Sequence, residues 1–111
     1  MPTPLARMYP SKVLAKDSKD NALATASAAA GDTHQRYYIT GVDASFSAAA
    51  TKLLQLKDDT TVVWEGYIIN ADSINFESPI EGSLGKAFSA ELAASGGAGV
   101  IGKVNLRGFL Y

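Results

Sequence analysis

The sequence has 111 residues, the length of one domain, and its 10 basic and 11 acidic residues give a formal net charge of -1. A near-neutral chain lacks the excess of Lys and Arg with which sequence-independent nucleic-acid binders neutralise phosphates, so we predict no nucleic-acid partner. The absence of cysteine excludes disulfides and thiolate metal sites. No apolar run reaches the roughly 18 residues of a membrane span, so we predict no membrane partner.

Residues 1–21 are predicted to form an extended N-terminal arm. Pro2, Pro4 and Pro10 remove backbone donors and disfavour regular structure. Apolar anchors are mixed with basic residues in this segment, which favours a chain that docks on a partner, whereas a frayed terminus is the alternative. The residues predicted to bind a partner are Leu5, Arg7, Met8, Tyr9, Lys12, Val13 and Leu14.

The chain after the arm begins with an alanine-rich stretch and then alternates with a period of two. Residues 21–30 are predicted as a strand of small residues, with a helix as the alternative because alanine favours helices. From residue 35 onwards the alternation predicts a half-buried strand. Its glycine, Gly41, indicates a bulge or a close backbone approach. The side chains predicted to share one face are Tyr38, Thr40, Val42, Ala44 and Phe46, and those on the other face are Tyr37, Ile39, Asp43, Ser45 and Ser47.

The second half of the chain continues with strand patterns separated by turn residues. Residues 57–60 (KDDT) predict a tight hairpin turn, and residues 70–72 predict the next turn. The segment KAFSAELAAS is predicted as a strand, with a helix as the competing interpretation, and the last strand reaches Tyr111. The aromatic residues predicted to lie in the core are Phe46, Trp64, Phe76 and Phe88.

About seven short strands with intervening turns predict an all-β fold for residues 22–111. The expected architecture is a jelly-roll-like antiparallel β-sandwich. Helical crossovers of the length that parallel strands require are missing from the pattern, which argues against a parallel sheet.

No arrangement of residues in the sequence predicts catalysis, so we predict that the protein is not an enzyme and has no catalytic residues, metal site or cofactor. The single histidine, His34, lies in a predicted turn, where a solvated side chain is expected, and no G-x-S-x-G motif occurs. The glycine-rich stretch at residues 96–99 lacks the Lys-Ser/Thr ending of a P-loop. The adjacent acids Asp58 and Asp59 are explained by turn chemistry, since no calcium-loop pattern surrounds them.

Residues 22–111 contain three short patterns of strand and turn residues. The first is an alanine-rich segment and a glycine turn followed by R-x-Y-h-T-G, where h is apolar. The second is F-x-x-P-I/L-x-G, and the third is an A-G-V-x-G-x-V-x-h-x-G-h ending. The matching residues are Ala28, Ala29, Ala30, Gly31, Arg36, Tyr38, Ile39, Thr40 and Gly41; Phe76, Pro79, Ile80 and Gly82; and Ala98, Gly99, Val100, Gly102, Val104, Leu106, Gly108 and Phe109.

These three patterns resemble those of small virion-associated proteins of tailed bacteriophages. The resemblance implies a particle-bound structural protein with a jelly-roll-like sandwich. We therefore predict a capsid decoration, or cement, protein that binds and stabilises the major capsid shell. Its expected partners are the major capsid protein and copies of itself, as a homodimer or homotrimer, and its expected location is the capsid surface after synthesis in the host cytoplasm. The alternative is a tail or fibre-head module that binds host surface carbohydrate, because tyrosines on a β face can stack on sugars.

Overall fold

A computed structural model describes residues 11–111, and this part of the chain consists of strands and connecting turns. In chain order the strands are β1 (Lys12–Asp20), β2 (Ala24–Ala28), β3 (Tyr37–Phe46), β4 (Thr51–Asp58), β5 (Thr61–Ile69), β6 (Ala71–Glu81), β7 (Phe88–Leu92) and β8 (Ile101–Leu110). They form two four-stranded antiparallel sheets. The front sheet has the order β1-β8-β3-β6 and the back sheet has the order β2-β7-β4-β5. The predicted all-β, jelly-roll-like antiparallel sandwich is confirmed.

The core lies between the two sheets and is built from alternate residues of the strands, because successive side chains of a strand point to opposite faces. In β7, for example, Phe88, Ala90 and Leu92 are buried, and the residues between them are not. This alternation decides that KAFSAELAAS is a strand. The largest fully buried side chains are Phe88, Ile39, Leu54, Leu56, Ile68, Leu92, Leu106, Val42 and Val104.

The sandwich begins earlier in the chain than the predicted boundary at residue 22. Residues Lys12–Asp20 of the predicted arm form β1, which pairs antiparallel with β8 at one edge of the front sheet. The lysines of β1 face solvent, and the pairing shifts register between Val13 and Ala15, so the sequence lacks the regular alternation of a half-buried strand. The part of the predicted arm formed by residues 1–10 lies outside the described residues.

Strand β3 contains the irregularity that Gly41 indicated. Its pairing with both β6 and β8 shifts register between Ile39 and Gly41. Before the shift, the odd-numbered residues Tyr37 and Ile39 are buried in the core. After the shift, the even-numbered residues Val42 and Ala44 are buried instead. The predicted face assignment is therefore correct for Val42 and Ala44 but wrong for Tyr37, Tyr38 and Ile39, since an extra residue in the ladder changes the phase.

The tight turns depend on Asn and Asp residues with positive φ. Asp59 has a φ of 57° in the β4–β5 hairpin, which confirms the turn predicted at residues 57–60. Asn70 has a φ of 62° between β5 and β6, and Asn21 has a φ of 47° between β1 and β2. These two residue types tolerate the left-handed region better than other non-glycine residues.

The four aromatic residues predicted for the core differ in burial. Phe88 is fully buried, whereas Phe46, Trp64 and Phe76 are partly buried and pack against the core. Trp64 of β5 and Phe76 of β6 meet edge to face with ring centroids 5.7 Å apart. Because β5 and β6 are edge strands of different sheets, this pair closes one side of the sandwich.

On the side of the sandwich opposite β5 and β6, Asp17 joins β1 of the front sheet to β2 of the back sheet. The carboxylate of Asp17 in β1 accepts a hydrogen bond from the backbone N–H of Thr25 in β2 at 2.9 Å and lies 3.1 Å from Nζ of Lys19. The hydrogen bond from Thr25 is the main reason that the pKa of Asp17 lies below its usual value of 3.8.

This lowered pKa predicts a pH-dependent contribution to stability. Because the folded state favours the ionised carboxylate, the contribution is fully present above pH 3.8 and is lost as the pH falls through the lowered pKa of the folded protein. Urea denaturation should show that Asp17→Ala is less stable than the wild type at pH 7 and that the difference narrows below pH 3.8. A difference that does not change with pH would contradict this assignment.

Within residues 11–111, no helix is long and apolar enough to cross a membrane.

Candidate functional site

The outward face of the front sheet carries three rows of side chains that run across its strands. Strand register aligns Val13, Arg107, Gly41 and Asn75 in the first row. It aligns Lys16, Asn105, Asp43 and Ser73 in the second row, and Ser18, Lys103, Ser45 and Ala71 in the third. Cross-strand neighbours on one face lie within side-chain reach of one another, so the rows form one continuous polar surface.

Arg107 organises this surface. Its Nε and Nη2 atoms donate to Oδ2 and Oδ1 of Asp43 at 3.0 and 3.2 Å. Nη2 also donates to the carbonyl oxygen of Ile74 at 3.2 Å and to Oδ1 of Asn75 at 2.8 Å. The hydroxyl of Ser73 donates to Oδ1 of Asp43 at 2.6 Å. The fork geometry of guanidinium suits such a bidentate pair, and the network fixes the orientation of side chains from three strands.

Gly41 makes this network possible. Arg107 lies on β8 and Asn75 on β6, with Gly41 of β3 between them. A Cβ atom at position 41 would collide with Nη2 of Arg107 and would lie 2.6 Å from the carbonyl oxygen of Ile74. The glycine therefore leaves the space in which the guanidinium crosses β3 to reach β6.

An open groove of about 960 Å³ lies over the second and third rows and is called the outer groove below. It is lined by Lys16, Asp17, Ser18, Asp43, Ala44, Ser45, Ala71, Asp72, Ser73, Lys103 and Asn105. Most of these residues present hydroxyl, amide, carboxylate or ammonium groups. All four strands of the front sheet contribute, so the backbone that holds these groups is rigid.

Two lysines give the outer groove donors that are available to a ligand. In the part of the chain that the structure describes, neither Lys16 nor Lys103 forms an ion pair, and both are exposed. Asn105 is half-buried between them, with no side-chain hydrogen bond among the described residues. Asp43, by contrast, is already bound by Arg107 and Ser73.

An aromatic cluster lies at the other end of the same face. Tyr38 and Phe109 stack with ring centroids 5.1 Å apart and an interplanar angle of 16°. The ring centroid of Tyr111 lies 6.4 Å from that of Tyr38. A second depression of about 490 Å³ adjoins the cluster. Its lining residues are His34, Gln35, Arg36, Tyr38, Leu84, Leu110 and Tyr111. Phe109 and Asn105 are four residues apart on β8, so the cluster is about 13 Å from the outer groove.

The predicted partner-binding residues fall into two groups. Leu5, Arg7, Met8 and Tyr9 lie outside the described residues. Lys12 and Val13 are exposed on β1, where Val13 is the outward neighbour of Arg107, whereas Leu14 packs against the core. The side chain of Leu14 is therefore occupied within the sandwich.

The single histidine is the other residue for which the sequence made a prediction. His34 is exposed in the turn before β3, as expected of a solvated histidine. Among residues 11–111, no group of three or more His, Cys, Asp or Glu residues lies close enough to hold a metal ion.

The sequence did not reveal the outer groove. The polar faces of β3 and β8 were visible as alternating Asp43 and Ser45 and as alternating Lys103, Asn105 and Arg107. The sequence does not show that β3 and β8 are neighbours, with Asp43 opposite Asn105. The closest sequence signal was Gly41, because a glycine within a strand indicates a bulge or a close backbone approach.

The chain matches no family model and no curated protein. Solved structures, however, share its fold. The carbohydrate-binding module CsCBM6-3 from Clostridium stercorarium, in complex with cellobiose, aligns with a TM-score of 0.50 and 10% identity over 91% of this chain and 80% of that one. PirA aligns with a TM-score of 0.51 and 7% identity over 86% of this chain and 92% of that one.

The insecticidal delta-endotoxin Cry8Ea1 from Bacillus thuringiensis also aligns, with a TM-score of 0.51 and 12% identity over 93% of this chain. This chain spans only 19% of the length of the endotoxin. At such low identities these similarities establish a shared β-sandwich fold.

Proposed function

We propose that this protein is a carbohydrate-binding domain and that it binds an oligosaccharide across the outward face of the front sheet. The outer groove is the observation that carries the proposal. Hydroxyl-rich ligands need many donors and acceptors held in place, and the groove presents them from four paired strands. The fold shared with CsCBM6-3, whose structure contains cellobiose, supports the same function.

The network around Arg107 supports this function because it fixes polar groups before a ligand arrives. A side chain already held by neighbours loses little conformational entropy on binding, so more of the contact energy contributes to affinity. Asp43 and Asn75 are held in this way. Lys16, Lys103 and Asn105 then supply the contacts to the sugar. Of the carboxylates in the groove, Asp17 and Asp43 are paired with Lys19 and Arg107, so the two ammonium groups outweigh Asp72 and favour a glycan that carries carboxylates.

The aromatic cluster supplies the apolar part of a sugar site. Sugar rings have apolar C–H faces that pack on aromatic rings, and Tyr111 is 47% exposed beside Tyr38. A chain of several sugar units could contact Tyr111 with one end and reach the outer groove with the other, given the separation of about 13 Å along β8.

Isothermal titration calorimetry tests the proposal with cello-oligosaccharides and oligogalacturonates. We expect binding, tighter for the acidic glycan, and a loss of affinity of at least about tenfold in the double variant Lys103→Ala/Asn105→Ala, because a handful of central contacts carries most binding energy. Lys57→Ala is the matched control, since Lys57 pairs with Glu91 in the back sheet.

The same titration provides the outcome that would reject the site. If the double variant binds as tightly as the wild type while Lys57→Ala loses affinity, the ligand occupies the back sheet. Circular dichroism and thermal unfolding of each variant show whether a lost affinity reflects a lost fold.

The predicted virion role is the second candidate, and the exposed residues of β1 favour it. Lys12 and Val13 lie at an edge of the front sheet, and Val13 is 50% exposed. A decoration protein would use such an edge to contact a shell. Cosedimentation with expanded phage capsids tests this role: binding that is abolished by Lys12→Glu/Val13→Asp would support it, and absence of binding by the wild type would reject it.

A further inference from the structure

The four edge strands of the two sheets are not equally protected against pairing with another chain. An exposed edge offers unpaired backbone N–H and C=O groups, and proteins block it with charges, proline, bulges or short strands. Strand β1 has Lys12, Lys16 and Lys19 and a register shift near its start. Strand β6 has Pro79 and three acids, and β2 is only 5 residues long.

Strand β5 has the weakest protection. It is 9 residues long, pairs only with β4 among the described strands, contains no proline and has one charged residue, Glu65. Its one irregularity is a register shift at the hairpin end, opposite Leu56 and Lys57. The shift leaves Val63 unpaired, and the six residues 64–69 after it form a regular edge.

The side chains of β5 are also unusually apolar for a solvent-facing edge. Tyr67 is 72% exposed, Ile69 is 67%, Val63 is 42% and Val62 is 41%. These four belong to the nine exposed large apolar side chains of the described residues, and they are consecutive or alternate on one strand. A cluster of this kind is typical of an interface.

We propose that β5 is a homodimer interface in which the β5 strands of two copies pair antiparallel, joining the back sheets into one continuous sheet. The proposal is independent of the carbohydrate site, because β5 belongs to the other sheet. A two-fold axis normal to the sheet makes each contact occur twice, as in most homodimers.

The residues of β5 determine which pairing register is favourable, and the register fixes the position of the two-fold axis. Centred on Gly66, the pairing sets Ile68 of one copy against Trp64 of the other and brings Ile69 next to Val63, the residue at the register shift. It sets Glu65 against Tyr67, whose hydroxyl can donate to the carboxylate. Centred on Glu65, the pairing would place two carboxylates opposite each other, which is destabilising. The Gly66 register joins apolar to apolar residues and opposes no like charges, so β5 is complementary to itself.

Sedimentation velocity over a range of protein concentrations tests the dimer. We expect the wild type to be dimeric and Tyr67→Glu to weaken dimerisation at least about tenfold, because it sets a second carboxylate against Glu65 of the other copy, twice in each dimer. Val13→Glu is the matched control on the β1 edge and should leave the dimer unchanged. A monomeric wild type, a higher oligomer, or a Tyr67→Glu variant that dimerises normally would overturn the proposal.

A disulfide experiment tests the register and does not depend on the strength of the interface. The protein has no cysteine, so Glu65→Cys and Tyr67→Cys each introduce a single thiol. In the Gly66 register these positions are directly opposite each other, within the Cα separation that a disulfide requires. Random pairing of an equimolar mixture of the two variants gives about twice as much heterodimer as either homodimer, so under mild oxidation we expect the crosslinked heterodimer in much more than twofold excess over each homodimer. The random ratio, or an excess of either homodimer, would overturn the register.

Discussion

Gly108→Ala is expected to lower the free energy of unfolding by about 3 kcal/mol, in the range of strongly overpacked sites. Gly108 lies on β8 between Lys12 of β1 and Ile39 of β3. A Cβ atom there would collide with the backbone carbonyl oxygen of Tyr38 and lie 3.0 Å from Cα of Ile39. Because these neighbours are backbone atoms, no side-chain rotamer relieves the clash, and β3 and β8 must move apart.

Urea denaturation of matched glycine variants measures this effect. Gly97→Ala is the control, because the nearest atoms to a Cβ at position 97 belong to the side chain of Val100, at 3.3 Å, which can move. We expect Gly97→Ala to change stability by less than about 1 kcal/mol. If Gly108→Ala is as stable as Gly97→Ala, then the close pairing of β3 and β8 at this point is wrong.

Arg107→Ala is expected to cost about 2 to 3 kcal/mol of stability and to weaken oligosaccharide binding at least about tenfold. The substitution removes the hydrogen bonds to Asp43, Ile74 and Asn75 together. The carboxylate of Asp43 then loses its cationic partner and keeps only the hydrogen bond from Ser73, in a site where it is only partly exposed. Asn75 also loses the group that orients it.

The substitution Arg107→Lys distinguishes the effect of the positive charge from the effect of the bidentate guanidinium contact. Lysine keeps the positive charge but cannot make the bidentate contact, so we expect an intermediate loss of affinity. Lys57→Ala is the control, because the Lys57–Glu91 pair is a single contact in the back sheet, away from the proposed sugar site. Equal stability and affinity of Arg107→Ala and Lys57→Ala would show that the network has no role.

The sequence predicted the sandwich well because its strands follow simple alternation. Strand β7 is an example, since each of its inward residues is buried as the pattern indicates. The same reasoning gave a wrong result in β3, where a register shift changes which alternate residues face the core. Only the pairing of β3 with β6 and β8 reveals that an extra residue at Gly41 turns Tyr38 outward and Tyr37 inward.

Strand β1 shows a second limit of local patterns. An edge strand with three lysines resembles a solvated segment, because only one of its sides is paired. Its membership of the sheet depends on β8, which lies some ninety residues later in the chain. The outer groove has the same origin, since Lys16, Asp43, Ser73 and Asn105 are distant in sequence and become neighbours through strand register.

An NMR titration of the isotope-labelled protein with an oligosaccharide tests the central claim most directly, because it locates binding without a variant. The account predicts that backbone amide shifts change along the outward rows of the front sheet, at Asp43, Ser73, Lys103 and Asn105, and near Tyr111. Amides of β4 and β5 in the back sheet should not move. Shift changes confined to the back sheet, or none with either neutral or acidic oligosaccharides, would contradict the proposed carbohydrate site.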